Sequence, residues 1–484
     1  MNFRMIAYIV GQIVRVEGIL MLPALAVGLI YGEDVLAAFL IPAALSIGMG
    51  TLLAIKKPEN TSIFAKEGFV TVGLSWIIMS VIGALPFVID GCIPSFIDAL
   101  FETVSGFTTT GASILNDVEA LSYGMLFWRS FTHWIGGMGV LVFVLAILPQ
   151  ADTRSVKLMH IMRAEVPGPK VGKLVSKIGR TARIMYGLYI ALTFIQVALL
   201  LAGGMPLYDS LVNSFATAGT GGFGIKNASI AAYDSAYVDY VISIFMVLFG
   251  INFNLFYLIV TGHVMQALKS EELRWYLTIV VGATALITFD IFERFGSIGE
   301  SIRYALFQVS SIITTTGFAT YDFNEWPALS KTILVLLMFC GACAGSTGGG
   351  IKVGRIILLI KAGLREIKYM LHPRAVISVR MEGKPVEREV VRGATSYMII
   401  YIMLFTVSLF FIELIEECDL VTGFTAVAAC LNNIGPGLGE VGPAGNYSAL
   451  TGASKLILSF NMLAGRLEIF PLLMLFAPST WKNR

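Results

Sequence analysis

The chain holds 484 residues with a net charge of +2; 56% are hydrophobic, only 14% are charged, and the mean hydropathy is +0.79. A soluble chain carries about 25% charged residues to cover its surface, so an ordinary water-soluble fold is excluded. The apolar residues fall in separate runs of roughly 20, long enough to cross the ~30 Å hydrocarbon layer as helices, which gives an all-α polytopic membrane protein.

Taken in order, the runs predict ten spans near 5–30, 35–55, 68–90, 126–149, 183–203, 236–266, 275–293, 331–362, 393–414 and 453–477. The first lacks a small-residue cleavage site and reads as a retained span. Three connections are basic: Lys56, Lys57 and Lys66; the stretch 150–183; and the stretch 352–392, which includes Lys352, Arg355, Lys361 and Arg365. The others lean acidic, with Glu33, Asp98, Asp117, Glu119, Asp239 and Glu416 among them. The excess of Lys and Arg places the basic connections and both termini in the cytoplasm. That topology accounts for the basic clusters with the lipid bilayer as partner and no nucleic acid.

Five cysteines, Cys92, Cys340, Cys343, Cys418 and Cys430, show no framework spacing. Cys340 and Cys343 sit in an apolar run and read as small packing residues, while pairing of Cys92 with Cys418 on the outer side is left open. Neither a phosphate-binding loop nor a His/Cys metal spacing is present, and the chain is not expected to be an enzyme.

Four outer connections align without a gap, ending at Gly111, Gly222, Gly317 and Gly435. Each begins helix-compatible and ends in a strip of small or polar residues. With flanking spans they form four helix–loop–helix repeats at intervals of roughly 100 residues. The implied organisation is an N-terminal two-helix segment (1–60) followed by pore repeats at 61–155, 175–268, 272–368 and 390–484. Irregular backbone at membrane depth is tolerated where it lines an aqueous path or is buried in protein. Four such strips around an axis would present rings of carbonyls able to replace the hydration shell of a monovalent cation.

The third repeat's inner span is interrupted by Gly341, Gly345, Ser346, Thr347, Gly348, Gly349 and Gly350. This density of helix-disfavouring residues predicts an unwound segment below the loops; close helix packing through small residues is the alternative. Arg466 lies in the last apolar run, where a charge is costly and faces an aqueous path or a partner. Pairing with Glu468 is disfavoured on a continuous helix, because residues two apart point to different faces. Asn252 and Asn254 are polar at a similar depth, with no role assigned. Trp128, Arg129, His133 and Trp134 read as an interfacial aromatic and cationic belt.

Over essentially its whole length the sequence resembles the Trk/Ktr/HKT superfamily of potassium transporters, TrkH type. The residues carrying the resemblance are Ser-Gly-Phe-Thr-Thr-Thr-Gly-Ala-Ser at 105–113, Ala-Gly-Thr-Gly-Gly-Phe at 218–223, Thr-Thr-Thr-Gly-Phe-Ala at 314–319 and Asn-Asn-Ile-Gly-Pro-Gly-Leu-Gly at 432–439. To these are added Cys-Ala-Gly-Ser-Thr-Gly-Gly-Gly at 343–350 and Gly-Arg-Leu-Glu at 465–468.

The resemblance implies a potassium filter built from the backbone carbonyls of Thr109, Thr110, Gly111, Thr220, Gly221, Gly222, Thr315, Thr316, Gly317, Asn433, Ile434 and Gly435. Glycine at 111 favours potassium over sodium, while the Asn-Asn-Ile strip departs from the threonine-rich pattern. The resemblance also implies an obstructing loop at Gly345–Gly350 with Arg466 beside it, and a homodimer with one pore per subunit. It further implies a bacterial cytoplasmic (inner) membrane location and a TrkA-like, ring-forming cytoplasmic subunit that binds NAD(H) or an adenine nucleotide. No organic cofactor is expected on this chain. A potassium symporter coupled to protons or sodium is the competing reading; it needs a titratable or second-ion site, for which outer acids such as Glu102 are candidates.

Overall fold

The computed structural model describes residues 1–60, 63–139, 178–375 and 377–482. Helices α1 (Phe3–Leu20) and α2 (Leu22–Ile30) form one apolar stretch, and α3 (Leu36–Ala54) folds back along it. Glycines line the seam: a Cβ on Gly50 would lie 2.5 Å from the Gly11 carbonyl and 2.6 Å from the Arg15 amide. Small residues are what let membrane helices approach so closely. The turn after α2 carries Glu33, whose carboxylate accepts the backbone N–H groups of Tyr123 (2.6 Å) and Gly124 (3.0 Å). An acid at that helix start satisfies orphan donors and suits the positive end of the helix dipole.

A pattern of long helix, short helix, extended strip and inner helix then recurs four times among the described residues. It begins with α4 (Ala65–Asp90), α5 (Phe96–Phe107) and α6 (Tyr123–Gly137). Next come α7 (Ile178–Ala202), α8 (Leu207–Gly219), α9 (Ala236–Phe249), α10 (Phe253–Val260) and the short α11 (Val264–Leu268). The third set is α12 (Glu271–Phe295), α13 (Ile298–Ile313), α14 (Ala328–Cys340) and α15 (Val353–Leu371). A two-stranded antiparallel hairpin, β1 (Arg380–Met381) and β2 (Lys384–Pro385), precedes α16 (Arg388–Ile415), α17 (Leu420–Leu431), α18 (Gly452–Arg466) and α19 (Phe470–Phe476). Polar caps start the elements that follow loops: Ser95, Ser122, Ser235 and Thr451 each accept the N–H of the third residue on.

Among the described residues six helices are long and apolar enough to cross a membrane. Three predicted spans are not continuous. The run 236–266 bends by 94° between α9 and α10, because Asn252 leaves the helix and caps α10 by accepting the Asn254 N–H at 2.9 Å. The run 331–362 stops at Cys340 and resumes at Val353. The run 453–477 breaks after Arg466, where Glu468 (φ 56°) and Ile469 (φ 65°) enter the left-handed region. That conformation is unfavourable for a β-branched residue; it turns Glu468 onto Arg355, at 2.5 Å. Of the predicted span 126–149, only the part through Gly139 falls within the described residues, and most of the basic stretch 150–183 lies outside them.

The basic connection 352–392 also needs correction at its start. Lys352 and Arg355 are buried, with Arg355 stacked 3.9 Å over the Tyr397 ring. All five cysteines are free, so Cys92 and Cys418 are not joined. Burial and the adjacent Asp90 carboxylate push the Cys92 thiol up to about 12, which keeps it protonated and poorly nucleophilic near neutral pH.

Candidate functional site

The four short helices α5, α8, α13 and α17 end identically. Past the last turn a residue takes a left-handed conformation: Thr109 (φ 54°), Thr220 (φ 55°), Thr315 (φ 59°) and Asn433 (φ 56°). The N–H groups of these residues bond the carbonyls of Gly106, Thr217, Ile312 and Cys430. The next N–H groups, of Thr110, Gly221, Thr316 and Ile434, reach back to Ser105, Ala216, Ser311 and Ala429. Paired bonds of this kind are the Schellman ending, which ordinarily recruits glycine. Threonine there stores strain of ~1–3 kcal/mol, and complete burial of Thr109, Thr220 and Thr315 holds it in place.

One residue further on come the four aligned strip glycines, again with positive φ: Gly111 (81°), Gly222 (74°), Gly317 (88°) and Gly435 (94°). They meet in a closed ring. A Cβ on Gly111 would collide with the carbonyl oxygen of Gly221, one on Gly222 with that of Thr316, and one on Gly317 with that of Ile434. The circle closes where a Cβ on Gly435 would lie 2.6 Å from the Thr110 oxygen. Every loop thus abuts the next in chain order, and all twelve predicted filter residues are brought together. Gly111, Gly222 and Gly317 keep partial exposure while the residues just before them are buried, whereas in the fourth strip Gly435 is buried and Pro436 is the partly exposed residue. Four helix C-termini converge here, and their dipoles favour a cation.

The unwound segment between α14 and α15 packs directly against this ring. The Gly349 N–H donates to the Thr315 hydroxyl at 2.6 Å. A Cβ on Gly348 would lie 2.9 Å from the Thr314 carbonyl, and one on Gly349 2.5 Å from that of Asn432. On another side the segment meets the bend between α9 and α10. The Cys343 N–H bonds the Gly250 carbonyl (3.0 Å), the Thr347 N–H that of Phe249 (3.4 Å), and the Phe253 N–H that of Gly345 (3.0 Å). Two interrupted helices therefore satisfy each other's free backbone groups, the condition under which membrane-buried irregular backbone persists.

Arg466 adds charge to the same place. Its guanidinium donates to the carbonyls of Thr347 (2.7 Å), Gly136 (2.5 Å) and Gly137 (2.7 Å). The loop and the end of α6 are thereby tied to α18. Lys352 closes the loop from within, its ammonium donating to the Gly348 carbonyl.

Comparison with known proteins bears on this arrangement. The TrkH family model, described as a cation transport protein, matches residues 36–483. The chain belongs to the TrkH family. Among relatives, the Trk system potassium uptake proteins TrkH of Salmonella typhimurium and of Escherichia coli are each 37% identical, with the whole of both chains covered. Escherichia coli TrkG is 35% identical over the whole of this chain and 99% of its own. The crystal structure of the potassium transporter TrkH from Vibrio parahaemolyticus superposes with a TM-score of 0.89 at 33% identity, covering 100% of both chains. The relatives are named as transporters, not enzymes.

In this TrkH-family chain the expected interfacial belt is instead a buried support. Arg129 pairs with Glu102 on α5 at 2.6 Å, with side-chain exposures of 3% and 0%. The Arg129 guanidinium also donates to the Gly224 carbonyl at 2.9 Å and stacks 3.5 Å from the Phe223 ring. The His133 ring stacks on the same Phe223, 4.1 Å between centroids. Trp128 is fully buried, its indole N–H donating to the Gly83 carbonyl at 3.1 Å. Of the four, Trp134 alone keeps partial exposure. A belt was the natural expectation from residue type; what the run could not display is that α6 lies behind the first two strips.

Glu102 also accepts the Ser113 hydroxyl (3.0 Å) and the Ile114 N–H (2.9 Å), so it fixes the chain leaving the first strip. Gln308 accepts the Thr320 N–H at 3.4 Å and Thr425 that of Leu438 at 2.8 Å, stapling the third and fourth strips at the corresponding place. Glu102 and Gln308 occupy one register of the aligned repeats, a signal present in the sequence, whereas Asn213 at that register donates instead to the Tyr233 hydroxyl at 3.1 Å. In the fourth strip, Asn433 donates to the Thr110 hydroxyl (3.0 Å) and the Met462 carbonyl (2.8 Å), bridging strip one and α18.

Arg129→Ala strands a buried carboxylate, which costs ~3–5 kcal/mol. A marked fall in the melting temperature of the detergent-purified protein is the expected result. The paired replacement Glu102→Gln with Arg129→Met should recover part of that loss.

Proposed function

We propose that this chain takes up potassium ions across the bacterial cytoplasmic membrane through a channel-like pore, one per subunit of a homodimer, with both termini in the cytoplasm. The observation that carries the reading is the closed ring of four strips, each launched from a Schellman ending and each finishing at a positive-φ glycine packed on its neighbour's carbonyl. Ions would be held by the carbonyls of Thr109–Gly111, Thr220–Gly222, Thr315–Gly317 and Asn433–Gly435 in place of water. Potassium as the ion is supported by the names of the relatives. The domain reading is the same: two leading helices and four pore repeats.

Gly345–Gly350 is the gate in this reading, with Arg466 as its latch and electrostatic barrier. Regulation belongs to a cytoplasmic TrkA-like ring binding NAD(H) or an adenine nucleotide, docked on the basic inner surface to which Lys361 and Arg365 belong. Coupled symport is the weaker alternative, because Glu102, its acid candidate, is committed to Arg129, Ser113 and Ile114. Cation flux into liposomes at a fixed membrane potential tests the choice. The pore reading expects potassium entry unchanged when a protonophore or sodium removal abolishes the other gradients; entry that stops with either gradient would establish coupling.

A further inference from the structure

Glu272 stands in the first turn of α12. It is half-buried by side-chain packing, and one of its carboxylate oxygens, Oε1, accepts two backbone N–H groups. These come from Ala344 at 2.8 Å and from Gly354 at 2.9 Å. Ala344 lies early in the unwound segment and Gly354 just past its end, so one oxygen ties together the two ends of the gate loop. The site is shaped for that carboxylate: a Cβ on Gly354 would lie 2.6 Å from the same oxygen. Beside the tie, the Val353 N–H bonds the Ala342 carbonyl at 3.1 Å, so the loop is a lariat closed at its base.

The neighbouring residue faces the other way. Glu271 pairs with Lys361, and its carboxylate accepts the Glu382 N–H at 3.1 Å. The Glu382 carboxylate in turn accepts the Glu271 N–H (2.8 Å) and the Ser270 hydroxyl (3.0 Å). The exposed turn of the β1–β2 hairpin is thus bonded to the same helical turn that holds the loop. Adjacent residues connect a surface element to the base of the gate.

We propose that Glu272 is a positioning residue that clamps the base of the gate loop in its obstructing arrangement. Release of the clamp, through displacement of the first turn of α12, frees the loop to swing from the ring. This rests on the pore-and-gate reading above. A carboxyl or amide oxygen carries two lone pairs and can serve two donors at once. Glutamine retains an acceptor oxygen in the same place; methionine keeps the length and removes the acceptor.

Single-channel recording of the full-length protein in planar bilayers tests the assignment. Glu272→Met and Glu272→Ala are expected to raise open probability about tenfold or more, since two backbone N–H groups lose their acceptor, with the reversal potential unmoved. Glu272→Gln is expected to stay near the parent value. Amide hydrogen exchange at Ala344 and Gly354 should accelerate in the Met and Ala variants and not in the Gln variant. Open probability and exchange equal to the parent's in the Met or Ala variant would overturn the clamp, as would a Gln variant as open as Ala. If neither acceptor-free variant folds, exchange in the parent decides: the two amides opening in step supports one clamp, and independent opening rejects it. A parent protein that passes no potassium current at all would instead defeat the function proposed above.

Discussion

Gly111→Ser is expected to lower the preference for potassium over sodium about tenfold or more, the equivalent of about 1.4 kcal/mol. Two effects act together. Residue 111 has φ 81°, a region where a side chain costs of order 1–3 kcal/mol. The new Cβ would also strike the Gly221 carbonyl of the adjacent strip. The ring closes on itself, so the displacement cannot be absorbed by one loop alone. Gly222→Ser, which strikes the Thr316 carbonyl in the same manner, should shift selectivity in the same direction. Permeability ratios under bi-ionic conditions check both variants, and an unchanged ratio in both would remove the filter assignment.

Arg466→Ala is expected to raise open probability more than tenfold. The wild-type guanidinium holds the loop carbonyl of Thr347 and the helix-end carbonyls of Gly136 and Gly137. One hydrogen bond to a charged group contributes ~1.5–3 kcal/mol, and 1.4 kcal/mol already corresponds to tenfold in an equilibrium. The substitution also removes a positive charge next to the passage. Arg466→Lys should restore closure only in part, because an ammonium lacks the planar fork that reaches carbonyls on two sides. Open probability measured at fixed voltage is the readout; an alanine variant that gates like the parent would show that the loop is not latched from α18.

Much of this arrangement was legible in the residues. Length and hydropathy give spans wherever an apolar run is unbroken, as in 68–90 and 393–414. The strip glycines could be aligned because their neighbours repeat. The loop at 341–352 showed itself through the glycines that interrupt an apolar run.

Other features were hidden for identifiable reasons. The bend at Asn252 depends on a side chain capping the following helix, a choice that apolar periodicity does not record. The break after Arg466 depends on Arg355, more than a hundred residues away in the chain, drawing Glu468 out of helical geometry. Arg129 and His133 looked interfacial by type, yet their partners Glu102 and Phe223 come from other elements. Lys352 was counted with the cytoplasmic charges because it directly follows the glycines. In the fold its ammonium turns back onto the Gly348 carbonyl.

The central claim is that a four-strip ring conducts potassium down its own gradient. The most direct measurement is the reversal potential of the purified protein in a planar bilayer, with potassium and sodium on opposite sides and pH equal. The account predicts a potential that follows the potassium gradient by about 59 mV per tenfold change, the single-charge value, and does not move when a pH difference is imposed. A reversal potential that ignores the potassium gradient, or that tracks the imposed pH difference, would contradict it.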